Sequence, residues 1–307
     1  MTVRVALAGE CMAELRHLSD DRLALGYAGD VFNTAAYLVR SAAPGTVDAQ
    51  FVTVVGDDPY SAAMRASWHA RGVGSALTRV LPGGRCGLYL VRTDEHGERT
   101  FQHYRSDSAA RTLFGPDEPD ATCAAVAASD VVYLSGITLA IMAPAARDRL
   151  ARVLDGSSAR VVFDGNHRPA LWPSPAEARR AAAPFLARAD VALPTLDDER
   201  LLYGDRDAAA CAARLHAAGV PEIVVKVGAD GCVVSSDAGT TAVPAVPAPR
   251  VVDTTSAGDA FNGAYLAARL AGAPPVAAAR AGAALAAEVV GHPGALLPPV
   301  RPSAPRP

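Results

Sequence analysis

Short runs rich in Val, Ile, Leu and Phe recur along the chain, and most end at Gly, Asp or Pro. They read "VRVALAG", "FVTVVG", "VVYLSG", "ARVVFDGN", "DVALPT" and "EIVVKVG". Their length and β-branched content predict buried strands. Between them lie Ala-rich stretches with helical periodicity. From Val31 to Arg40, for example, Phe32, Ala35, Ala36 and Val39 share one face. Strands alternating with helices predict an α/β fold, a doubly wound, mostly parallel sheet with helices on both faces. Ligands then collect at the carboxyl ends of the strands.

Two segments break this rhythm. Ala13 to Tyr27 is too broken for a helix. "RCGLYLVRTDEHGERTFQHYRS", Arg85 to Ser106, reads as a hairpin turning at "DEHGE". A discontinuous β lid over about 12–28 and 85–107 is expected, apart from the main sheet but within a single domain of residues 1–307. The Pro-rich end, 299–307, predicts a frayed tail.

Composition narrows the partners. The formal net charge is −3 and no basic stripe occurs, which argues against nucleic acid. No apolar run is long enough to span a bilayer. The five cysteines form no C-x-x-C pair, so neither a disulfide framework nor a zinc site is expected, and a reducing cytoplasm fits best.

Four stretches carry candidate chemistry. In "VVDTTSAGDAFNGAYLAARL", Val251 and Val252 read as the end of a buried strand, and Phe261, Tyr265 and Leu266 follow at helical spacing. Between them, backbone N–H groups of Ser256, Ala257 and Gly258 could hold developing negative charge. Asp259 would then accept the proton of an attacking hydroxyl. Taken alone, Asp259 is equally a helix cap. "GYAGDVFNTA" places Asp30 and Asn33 on one helical face after Gly29. "VVFDGNHRPALW" sets Asn166 and Arg168 at a strand's carboxyl end, although a polar turn closed by Pro reads the same way. "IVVKVGADGCVV" contains Lys226, Gly228, Ala229, Asp230 and Gly231, and could be an ordinary hairpin.

Taken in order, these stretches resemble the ribokinase-like (PfkB) carbohydrate kinase family over nearly the whole chain. "DTTSAGD" is similar to its C-terminal signature D-T-x-G-A-G-D, with Ser256 in place of a Gly. The resemblance implies Asp259 as catalytic base and Ser256 to Gly258 as anion hole. It implies that Gly29, Asp30 and Asn33 touch sugar hydroxyls and that Arg168 bridges substrate and γ-phosphate. It further implies that Asn166, Thr195, Lys226 and Gly228 to Gly231 border ATP. Magnesium accompanies ATP in the family near an N-x-x-E stretch; here the match is Thr195-x-x-Asp198, followed by Glu199. A monovalent cation such as K⁺ near Asp253 and Val289–Gly294 is a further implication.

Within the family, "GECMAEL", "HGERTFQHYRSDSAA", "NHRPALW" and "TLDDE" are most similar to kinases of 2-dehydro-3-deoxygluconate. There the positions of Tyr89 and Arg105 help bind a sugar-acid carboxylate, and that of His103 is aromatic. Strand alternation puts His103 and Arg105 on one face and Tyr104 on the other, and an Arg suits a carboxylate. A solvated surface Arg is the plainer reading. A kinase of fructose or another neutral sugar, or a non-catalytic sugar-sensing homologue, stays open. A second copy could pair through the lid.

Overall fold

The computed structural model describes residues 2–93 and 99–299. The strands are β1 (Val3–Ala8), β2 (Met12–Ser19), β3 (Arg22–Ala28), β4 (Val47–Gly56), β5 (Thr78–Leu81), β6 (Gly87–Thr93), β7 (Arg99–Tyr104), β8 (Val131–Ser135), β9 (Arg160–Asp164), β10 (Val191–Ala192), β11 (Glu222–Lys226), β12 (Cys232–Ser236) and β13 (Gly239–Val243). The helices are α1 (Asp30–Ser41), α2 (Pro59–His69), α3 (Asp120–Ala127), α4 (Gly136–Ile141), α5 (Pro144–Asp155), α6 (Pro175–Arg188), α7 (Leu196–Tyr203), α8 (Ala208–Ala217), α9 (Ala257–Leu270) and α10 (Pro275–Val289).

Nine strands form one sheet in the order β13-β12-β11-β10-β9-β8-β1-β4-β5. Pairing is parallel from β5 to β11 and antiparallel at β11–β12 and β12–β13. Alternation along β1 shows why both faces are covered. Val5 and Leu7 join one apolar cluster, with Phe32, Phe51 and Trp68, while Ala6 and Ala8 join the other, with Leu134 and Phe163. Strand order reverses at β1, which pairs with β4 on one side and β8 on the other. A crevice at its carboxyl end is the natural ligand position.

The chain leaves β1 there and builds a second, four-stranded sheet, β3-β2-β6-β7. This sheet takes in the broken stretch Ala13–Tyr27 as two strands. The turn at 94–98 and the tail from 300 lie outside the described residues. Two strand expectations are corrected. "DVALPT" contributes only two strand residues, because Leu193 and Pro194 already turn toward α7. Val251 and Val252 are not a buried strand: they are 66% and 37% exposed in an irregular segment after β13. The N–H groups of Val252 and Asp253 both turn to Val290 O, 2.7 and 3.1 Å away, which bends the chain out of any ladder.

Candidate active site

The start of α9 lies beside α1, and one glycine allows it. A Cβ on Gly263 would come within 2.7 Å of Leu38 N and 2.8 Å of Thr34 O, so only Gly permits this approach. The packing brings Asn33 against Asp259, whose Oδ2 accepts a 2.9 Å bond from Asn33 Nδ2. Burial, with the nearby charge of Asp30, pushes the Asp259 carboxyl up to about 7, against the lowering effect of Asn33. A carboxylate poised there can take a proton near neutrality.

Ser256 precedes α9 in the left-handed region at φ 66°. That backbone suits Gly, which explains the family's usual residue and makes Ser256 a strained substitute. Of the three expected anion-hole amides, that of Ala257 turns back to Thr254 O at 3.3 Å. Gly258 stands in the helix's first turn, where N–H groups lack intrahelical partners. A Cβ there would meet only Lys226 Nζ, at 3.7 Å, so the ammonium and the helix start share one anion-binding corner.

Beneath this corner lies a buried network that sequence reasoning missed. Lys226 Nζ donates to Asn262 Oδ1 at 2.9 Å and faces Asp164 Oδ1 at 3.4 Å. Asn262 Nδ2 donates to Asp164 Oδ2 at 2.9 Å and to Tyr133 OH at 3.0 Å. Lys226 is thus held rigidly, its charge matched by Asp164 from below. Asn262 was legible only as a polar residue inside an apolar helix pattern.

A cleft of about 550 Å³ extends outward from Lys226. Thr195, Gly228, Ala229, Gly231, Val251, Ala257 and Gly258 are among the residues lining it. Gly228–Asp230 forms a single 3₁₀ turn between β11 and β12. Gly228 (φ 61°) faces open space, whereas a Cβ on Gly231 (φ 99°) would stand 2.1 Å from Val243 O. The two glycines therefore do different jobs: one leaves room in the cleft, the other lets the turn close. The exposure of Val251 follows from its place in the wall. An apolar, small-residue cleft ending on a cationic corner fits the base and phosphates of ATP.

On the other side of Asp259 the polar groups are already paired. Asp30 Oδ2 accepts from Ser135 Oγ at 2.5 Å and Asn166 Nδ2 at 2.9 Å, and burial raises its pKa. Asn166 adopts φ 33° to reach it. Gly29 is extended and packs on the backbone of residue 10, where a Cβ would lie 2.1 Å from Glu10 O. Arg168 Nη1 lies 3.3 and 3.2 Å from the two Asp198 oxygens. Glu199 turns away into the interior, 2.5 Å from Arg214, with its pKa raised to about 7 by burial despite that guanidinium.

From the lid, Tyr89 donates to Glu14, and the His103 ring stacks on Tyr89 at 5.7 Å. Burial, then the Arg105 charge, lowers the His103 pKa. Tyr104 points away, 54% exposed. Arg105 lies just past β7 and is not a free cation on the lid face: it is buried in an ion pair with Glu10, which also accepts from Ser108 Oγ. Glu10 sits two residues past the end of β1 and is a candidate site residue that the sequence reading quoted but did not assign.

A parallel sheet with a side lid, a proton acceptor at a helix start and a small-residue cleft define a kinase of small molecules. The chain belongs to the pfkB family of carbohydrate kinases, whose pattern matches residues 3–301. It is 43% identical over 303 residues to 2-dehydro-3-deoxygluconokinase of Dickeya dadantii (strain 3937), covering 97% of each chain. It is 40% identical to the enzyme of that name from Escherichia coli (strain K12), covering 97% of this chain and 98% of the other. The fold also matches the crystal structure of a PfkB protein from Polaromonas sp. JS666, with TM-score 0.82 at 24% identity, over 95% of this chain and 96% of that one.

Proposed function

We propose that the protein phosphorylates 2-dehydro-3-deoxy-D-gluconate from ATP at its terminal hydroxyl, giving the 6-phosphate. The observation that carries the chemistry is the partly buried Asp259 carboxylate, poised at about 7 between the sugar-side network and the cationic corner. The names of the relatives at 43% and 40% identity support the substrate. Asn33 orients Asp259 while it withdraws the hydroxyl proton. Lys226 and the amides at the start of α9 face the charge that builds on the transferring phosphoryl group. Arg168, paired with Asp198, is the residue that would bridge substrate and γ-phosphate. Magnesium accompanying ATP would be held mostly by phosphate oxygens and water, since both oxygens of Asp198, the acid in the family's matching stretch, already face Arg168. The ion's chemistry is to neutralise phosphate charge. A monovalent cation fits less well. Asp253 already accepts from Thr255 N at 2.8 Å and Gly294 N at 2.6 Å, so no step is assigned to one.

The pairing of Arg105 with Glu10 favours a second reading, a neutral sugar such as fructose, since the charge meant for a carboxylate is already matched. A coupled assay of ADP release across sugar acids and neutral sugars decides between them. The sugar acid gives the higher kcat/KM under the first reading, and fructose overtakes it under the second. Free thiols at all five cysteines support a reducing cytoplasm. Among the described residues no helix is long and apolar enough to cross a membrane. Leu18, Leu23, Leu25 and Phe101 are exposed on the lid strands. They support self-association through that sheet, which sedimentation would test.

A further inference from the structure

Glu10 occupies the position where strand order reverses, at the carboxyl end of β1. Its side chain is 1% exposed, and that of Arg105 is 9% exposed. One carboxylate oxygen accepts from Arg105 Nη2 and the other from Ser108 Oγ. Arg105 Nε, by contrast, is buried without a partner among the described residues. A buried guanidinium N–H left unmatched is costly, and a carboxylate accepting from it would remove that cost. Arg105 is close enough to Asp30 and His103, on the side proposed for the sugar, to act on both electrostatically. Glu10 therefore holds one edge of the guanidinium, at Nη2, and leaves Nε without a partner among the described residues.

We propose that Glu10 is the residue that positions Arg105 and sets how strongly the site prefers a sugar acid. The inference rests on the sugar-acid reading above. Two effects of Glu10 oppose each other. Its hydrogen bonds aim Arg105, and its charge cancels part of the attraction that a substrate carboxylate would feel.

Two substitutions separate these effects. Glu10→Gln keeps the shape and an acceptor for Arg105, and Ser108 can reverse its hydroxyl to accept from the new amide. Only the charge is lost. The ratio of kcat/KM for 2-dehydro-3-deoxygluconate over that for fructose should rise about tenfold, as expected for one uncancelled charge at close range. The change should lie in the KM for the acid, with kcat unmoved. Glu10→Ala removes both acceptors and frees Arg105, so the ratio should fall below the wild-type value. A purely structural Glu10 would lower both activities together and leave the ratio constant. A ratio unchanged within about twofold in Glu10→Gln, where one full charge should give tenfold, overturns the proposal even if Glu10→Ala fails to fold. A wild type inactive on the acid overturns the substrate reading and this inference with it. A wild type that prefers the acid while Glu10→Gln does not respond overturns this inference alone.

Discussion

The two sides of Asp259 are made of different material. The nucleotide end is backbone and small side chains: Gly228, Gly231, Ala257 and Gly258 around open space, with one lysine at its base. The side proposed for the sugar is a set of polar pairs that grade from buried to exposed: Glu10 with Arg105 is buried, Asp30 with Asn166 is partly buried, and Asp198 with Arg168 reaches the surface. Shape and backbone amides suffice for a ligand shared across a family. Choosing one sugar requires side chains held at fixed angles, and buried charges stay charged only when paired. Asp259 stands between the two ends and draws its raised pKa from this crowding, because burial and then the charge of Asp30 both raise it.

The largest effect is expected at that junction. Asp259→Asn keeps the shape but takes no proton, and kcat should fall by about two to four orders of magnitude with sugar binding retained. Near-normal turnover would remove the base from the mechanism. At the nucleotide end, Gly228→Val must carry a β-branched side chain at positive φ, costing about 1–2 kcal/mol. It would also intrude on the cleft. That intrusion should raise the KM for ATP about tenfold, roughly 1.4 kcal/mol of lost binding, while the KM for the sugar stays constant. Gly231→Val should lower the melting temperature more than Gly228→Val does, since its Cβ also collides with backbone at 2.1 Å. If both variants acted alike, the division of labour between the two glycines would be wrong.

The pH profile sharpens the contrast further. The base works only when deprotonated, so kcat/KM should drop about tenfold per unit as pH falls below about 7. The linked stability runs the other way. A folded pKa raised above the unfolded value means that stability is greatest at low pH and is lost as pH rises through about 7. Asp259→Asn should therefore raise the melting temperature by a few degrees at pH 8, and by less at pH 5, when followed by calorimetry. An equal shift at both pH values would mean that the carboxylate is not strained by burial.

The sheet was legible because buried strands leave contiguous apolar runs, and the nucleotide end because its glycines and small residues fall within short stretches. Val251 and Val252 misled for a related reason: an exposed apolar pair, of which Val251 lines the cleft, has the same local pattern as a strand end. The sugar end was half legible. Arg105, Asn33 and Asp259 were singled out, but their partners lie far off in the chain. Glu10 is 95 residues from Arg105, and Asn33 is 226 from Asp259. The Asp164–Lys226–Asn262 network was hidden similarly: the three stretches were each singled out, Lys226 by name, but nothing in them shows that these side chains meet. No local pattern encodes which charges will meet.

The most direct test of the account is the preference for acid over neutral sugar and its dependence on Arg105. With kcat/KM measured for 2-dehydro-3-deoxygluconate and fructose, the wild type should favour the acid by about ten- to a hundredfold, the value of a charge-assisted pair. Arg105→Leu should lose that preference almost entirely through the acid, leaving the weak activity on fructose little changed. Equal losses on both sugars would mean that Arg105 serves the fold through Glu10 and reads no carboxylate.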